Sequence, residues 1–171
     1  MKQRDVGRPE PRHDIVKSHL VAEHRHDPYK ARGKLPEPTM CPQCKAVFES
    51  GRWQWRSELP SNATLHDCPA CQRTSDRFPA GELTLSGPFL TKHADAIINL
   101  ARNVEAAESR EHPLQRIMAI ERASDQMVIT TTDIHLPRRI GHAIEKAHKG
   151  ELTTHYDEAG YFVRMTWSRA A

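Results

Sequence analysis

Every cysteine of this chain lies in one of two Cys-Pro-x-Cys turns, Cys41-Pro42-Gln43-Cys44 and Cys68-Pro69-Ala70-Cys71. Each turn presents two sulfurs from one tight loop, and two such turns brought together supply the tetrahedral thiolate cage that a structural zinc prefers. The intervening segment has the length of a zinc ribbon, so Cys41, Cys44, Cys68 and Cys71 are expected to hold one zinc ion. A closed four-thiolate site offers no coordination position to a substrate. A thioredoxin-type redox pair needs its Cys-x-x-Cys at the start of a helix that follows a buried strand, and neither pair reads that way in sequence. Disulfides need an oxidising compartment, whereas the first forty residues are polar and proline-dotted, with no apolar h-region. A cytoplasmic chain is expected. His66 stands close enough to the second pair to replace a ligand, but four cysteines already fill the site, which leaves it a loop histidine.

The remaining residues offer little other chemistry. Asp133-Ile134-His135 has the Asp-x-His form of metal-dependent phosphoesterases, yet no second cluster of ligands accompanies it, and Asp133 is more simply read as the N-cap of a helix. No Gly-rich phosphate loop, Gly-x-Ser-x-Gly or His-Glu-x-x-His occurs. The sequence therefore points away from an enzyme and from a small-molecule substrate.

Charge points to a polyanion. Residues 1–56 hold twelve Lys/Arg against seven Asp/Glu, while the rest of the chain is slightly acidic. Residues 1–40 carry no sustained periodicity and five of the prolines, the pattern of a flexible arm. Within that arm Tyr29, Lys30, Arg32 and Lys34 form a basic cluster with one aromatic, suited to lying along phosphates. Arg52-Trp53-Gln54-Trp55-Arg56 alternates strictly, so a strand would place both tryptophans on one face, as cover for the metal in preference to base-stacking platforms, and Arg52 and Arg56 on the other as an RNA surface. A later helix gathers Arg138, Arg139, His142, Lys146 and Lys149 on one stripe with only Glu145 among them. A solvated face would intersperse more carboxylates. Solubility alone would also account for a basic tail and a charged helix face.

These residues need elements to hold them. A ribbon over 41–86 is followed by a long connecting helix, which Ser86-Gly87-Pro88 opens and His112-Pro113 closes, with Leu90, Ala94, Ile97, Ile98 and Ala101 at helical spacing. Two β-branched strands around Ala123-Ser124-Asp125, a helix from Asp133 to Gly150, and a second hairpin turned at Asp157-Glu158-Ala159-Gly160 complete residues 113–171. The expected class is α+β: a four-cysteine zinc ribbon and a small ββαββ antiparallel-sheet domain, joined by the long helix and preceded by a disordered basic arm over 1–40. Gly141 in mid-helix costs about 1 kcal/mol against alanine, a sign of close approach by a neighbouring element. No run has the length of a transmembrane helix.

Taken together, the paired Cys-Pro-x-Cys turns, Ser86-Gly87-Pro88-Phe89-Leu90, and Thr131-Thr132-Asp133-Ile134-His135-Leu136 with its basic helix resemble a group of bacterial zinc-ribbon proteins over residues 27–169. More distantly, a ribbon followed by a small α+β domain is similar to the archaeal and eukaryotic adaptor that binds the large ribosomal subunit and escorts it in nuclear export. This chain shows two Cys-x-x-Cys pairs where the adaptor carries more. The resemblance implies contact with large-subunit rRNA near the tRNA sites, and for a bacterial chain a role in hibernation, stress or subunit maturation. Two other readings stay open: a ribbon module of a transcription or nucleic-acid-processing complex, and a phosphoesterase-like enzyme using Asp133 and His135.

Overall fold

The structure is a computed structural model that describes residues 27–31, 33–158 and 160–171. The ribbon is built from four very short strands, β1 (Thr39–Met40), β2 (Val47–Glu49), β3 (Arg52–Gln54) and β4 (Thr64–Leu65), in the order β3-β2-β1-β4. Ser50 and Gly51 take positive φ of 53° and 76° and close β2 onto β3 as a two-residue hairpin. That left-handed pair matches the twist of the two strands it joins. Helix α1 (Pro69–Asp76) starts at the second cysteine pair.

The larger unit runs β5 (Gly81–Ser86), α2 (Pro88–Glu111), β6 (Ile117–Arg122), β7 (Gln126–Thr131), α3 (Leu136–His148), β8 (Glu151–Tyr156) and β9 (Val163–Ser168). Its five strands lie in the order β6-β7-β5-β9-β8. Here the expectation of an antiparallel ββαββ unit needs correcting. β5, assigned above to the ribbon, is the central strand of this sheet, antiparallel to β7 and parallel to β9, so the sheet is mixed and the unit is βαββαββ. The physical reason lies in burial. Gly81, Leu83 and Leu85 alternate inward on β5 and need apolar neighbours on both sides, which Met127 and Ile129 of β7 and Val163, Met165 and Trp167 of β9 provide.

Helices α2 and α3 cover that inward face and pack on each other. Leu90, Ala94, Ile97 and Ala101 form the buried stripe of α2, and Leu136, Ile140 and Ile144 that of α3. Gly141 is buried in the same interface, where an added Cβ would stand 3.0 Å from Met165 Cε and 3.1 Å from Leu152 Cδ1. Its absence lets α3 sit close to β8 and β9, as the sequence suggested.

The arm also ends earlier than expected. From Asp27 onward the chain packs on α1: Arg73, with a side chain only 5% exposed, meets Asp27 Oδ1 at 3.0 Å and lies 4.4 Å beneath the Tyr29 ring, while Tyr29 Oη donates to Asp76 Oδ2 at 2.8 Å. A cation buried this deeply is strongly destabilising without a partner, and Asp27 supplies one. Residues 1–26 and Arg32 lie outside the described residues. Among the described residues no helix is long and apolar enough to cross a membrane.

Candidate metal centre and adjoining groove

Two turns of different construction bring the cysteines together. Cys41 follows β1, and Lys45 N donates to Cys41 O while Cys41 N donates to Ala46 O, both at 2.9 Å. Lys45 takes φ 69° to close this loop, which aims Ala46 N at Cys44 Sγ, 3.5 Å away. Cys68 is instead the N-cap of α1, its Sγ accepting from Cys71 N at 3.4 Å, with Pro69 in the first turn where no amide is needed. This pair does open a helix, contrary to the sequence reading. The strand before it, β4, is exposed and two residues long, which is not the buried strand of a redox motif.

All four Sγ atoms lie within 4.8 Å of one another, and Cys44 Sγ stands 3.8 Å from Cys68 Sγ. Thiolates bonded at about 2.3 Å to one tetrahedral ion are about 3.8 Å apart. The donor set and spacing therefore suit a single metal ion. Cys41 and Cys68 are buried, Cys44 and Cys71 half-buried, and Trp53 and Leu114 pack around them.

Sequence reasoning missed the residue that covers this cage. Arg116, just before β6, donates from Nη2 to Cys44 Sγ at 3.2 Å and Cys68 Sγ at 3.4 Å, and from Nη1 to Cys71 Sγ at 3.4 Å; its Nε is fixed by Pro113 O at 2.7 Å. Burial alone would push its pKa down, but the sulfurs of Cys71, Cys44 and Cys68 hold it above the ordinary guanidinium value. A divalent ion with four thiolates carries two surplus negative charges, and Arg116 offsets one of them. The hydrogen bond from Cys68 draws the Cys44 thiol down to about 4, while that same bond and burial push Cys68 up. Burial raises Cys71. A metal ion entering the cage displaces the protons of whichever of these sulfurs are thiols.

His66 hydrogen-bonds Gln72 at 3.4 Å and is no part of the sulfur cluster, in keeping with a loop histidine. Asp133 accepts amides of His135 and Leu136, both at 3.1 Å, and so caps the first turn of α3. Burial raises its carboxyl. Among the described residues the four cysteines are the sole group placed to hold a metal ion.

The basic candidates fall on separate surfaces. Tyr29 is turned onto α1, while Lys30 and Lys34 are exposed. Arg56, expected on the RNA face, is held by Glu49. Arg138, Lys146 and Lys149 are exposed along α3; Arg139 stands 3.8 Å from Glu108, and His142 lies 3.5 Å from Glu145. Arg52 faces a groove of about 1000 Å³ between the ribbon and the end of α2, where Trp53, Trp55, Arg110, His112 and Gln115 also line the walls. Trp55 lies just beyond β3 and is 42% exposed, its Nε1 donating to Ser109 O at 2.7 Å and its ring facing the Arg116 guanidinium at 5.9 Å. It is therefore not the buried cover expected from the alternation; of the two tryptophans it is Trp53, half-buried, that packs against the cysteines.

No protein-family model matches the chain, and neither a curated protein nor a solved structure shows significant similarity to it.

Proposed function

We propose that this chain is a non-enzymatic, ribosome-associated RNA-binding factor that holds a structural zinc ion in its four-cysteine cage and acts on the large subunit near the tRNA sites, in hibernation, stress or subunit maturation. Zinc is the metal that tetrahedral thiolate sets most commonly hold in structural sites. With all four positions taken by sulfur, it supplies folding energy and no reaction chemistry. The oxygens of Asp133 are engaged with backbone amides, which speaks against a hydrolytic use of Asp133 and His135.

The observation that carries the RNA reading is the outer face of α3. Arg138, Arg139 and Lys146 project from a helix whose opposite side is locked into the core, Lys149 stands at its C-cap, and of these four only Arg139 has a carboxylate within ion-pair reach among the described residues, at 3.8 Å. A cationic stripe in which most charges lack a carboxylate partner, held on a rigid element, is the usual means of fixing a protein on phosphates. The ribosome and its large subunit are supported by the resemblance alone.

Reversing all four charges to glutamate tests the reading. Ribosome co-sedimentation should be lost, and the slope of log K against log salt should flatten by about 3, from four phosphate contacts at roughly 0.7 each for single-stranded RNA. The fold should persist, since these side chains face solvent. Unchanged binding and an unchanged salt slope would reject this use of α3 and favour a protein partner for the ribbon.

A further inference from the structure

We infer that the groove between the ribbon and the end of α2 takes an unstacked base of single-stranded RNA, with Trp55 as the stacking platform. The inference rests on the RNA reading above and adds the class of RNA and the place where it is read. Trp55 is unusual in being both exposed and fixed: its indole N–H is tied to Ser109 O, and Arg116 braces one side of the ring. A base can then stack on the open part of the ring without first ordering it, which is the economy of a pre-organised site.

The surroundings suit a nucleotide strand. Arg52, Arg110 and Lys30 are exposed cations on the groove walls, joined by His112. Glu111 and Asp133 also line the groove. Asp133 is occupied as a helix cap. His135 stands at the same wall one turn before Arg138 and Arg139, so a strand leaving the groove meets the basic face of α3 directly. Gln115 provides the second, independent sign. Its side-chain oxygen is buried on the groove wall with no hydrogen-bond partner. Such an orphaned acceptor is costly, and a turn of the Gln115 side chain into the groove would let it accept from an amino or imino group of a base. Duplex RNA keeps its bases stacked and its major-groove edges out of reach, so a loop, bulge or free end is the form that fits.

Anisotropy titrations with a short labelled single-stranded RNA and a blunt duplex of the same sequence test this on the full zinc-loaded chain. The single strand should bind more tightly than the duplex. Trp55→Ala should weaken the single strand roughly 5- to 150-fold, the loss of one stacked base, and Trp55→Phe should restore most of it, with duplex affinity unmoved in both. Should Trp55→Ala disturb the ribbon, seen as reduced zinc content, the exposed pair Arg52→Glu and Arg110→Glu takes its place and should show the same selective loss. Equal losses for Ala and Phe with the fold intact, no loss in either, or a duplex preference would overturn the groove assignment. If the α3 reversal still weakens RNA binding in that case, the RNA reading survives and only the groove falls; wild-type protein that binds neither RNA sinks both.

Discussion

Arg116 brings three sulfurs, one carbonyl and an indole ring to a single guanidinium, and its planar fork of donors is what makes that possible. Its N–H···S bonds offset surplus negative charge on a loaded cage, favour thiolate over thiol and hold the sulfurs in place, so the metal should leave more readily without them. Arg116→Leu is expected to weaken metal retention by about 10- to 100-fold, the usual scale for outer-sphere partners, with Arg116→Lys intermediate; competition with a chromophoric chelator measures it, and equal retention in all three would show the contact to be incidental. Asp133 makes a different prediction. Its carboxyl is raised in the folded chain above its ordinary value of 3.8, so the folded state binds that proton more readily than the unfolded state. Its contribution to stability is therefore greatest below the ordinary value and fades as pH rises through the raised one. Asp133→Asn should flatten the pH dependence of stability in that window without loss at neutral pH, whereas Asp133→Ala should lose a cap at about 1 kcal/mol. Urea midpoints across pH separate the two.

Element geometry turns on where side chains are missing. On β5, an added Cβ at Gly81 would collide with Pro137 of α3 and stand 2.7 Å from Thr131 Oγ1 and 2.9 Å from Asp133 O. These neighbours crowd the start of α3, and the Pro137 ring and the Asp133 carbonyl have little room to yield. Gly81→Ala should destabilise by about 1–3 kcal/mol, the range of core overpacking, and should loosen the same turn that Asp133 caps. Gly141 is gentler, because its neighbours are the flexible ends of Met165 and Leu152. There the helix gain of about 1 kcal/mol for alanine offsets the crowding, and Gly141→Ala is expected to be near neutral in thermal denaturation while Gly81→Ala is not.

Across the whole molecule the two hydrophobic clusters differ greatly in size. The helix-covered sheet buries residues from Leu83 to Trp167, whereas the ribbon cluster has Cys41, Cys68 and Ala70 at its centre. So small a cluster cannot offset the chain entropy of the ribbon, and a structural zinc contributes about 10–16 kcal/mol where folding depends on it. Chelation should therefore unfold the ribbon alone. Hydrogen exchange should show β1 to β4 and α1 losing protection while β5, β7 and β9 keep theirs; cooperative loss of both sets would mean that Arg116, Trp55 and Leu114 couple the units more tightly than their separate cores imply.

The four clustered cysteines were legible in the sequence because each Cys-x-x-Cys turn is local and a tetrahedral cage has few other ways to form. Helices α2 and α3 and both hairpins were legible for the same kind of reason: stripes such as Leu90, Ala94 and Ile97, and turn residues such as Ala123-Ser124-Asp125, act over a few positions. What only the tertiary structure decided is long in range. The pairing of β5 with β9 joins residues about eighty apart, which no periodicity encodes. Tyr29 was drawn from an expected RNA contact to α1 by a buried Arg73 more than forty residues away. Nothing in the sequence singles out Arg116; its meaning appears only when the start of β6 is brought against the sulfurs, where low dielectric and four clustered thiols give a guanidinium a role that composition cannot express.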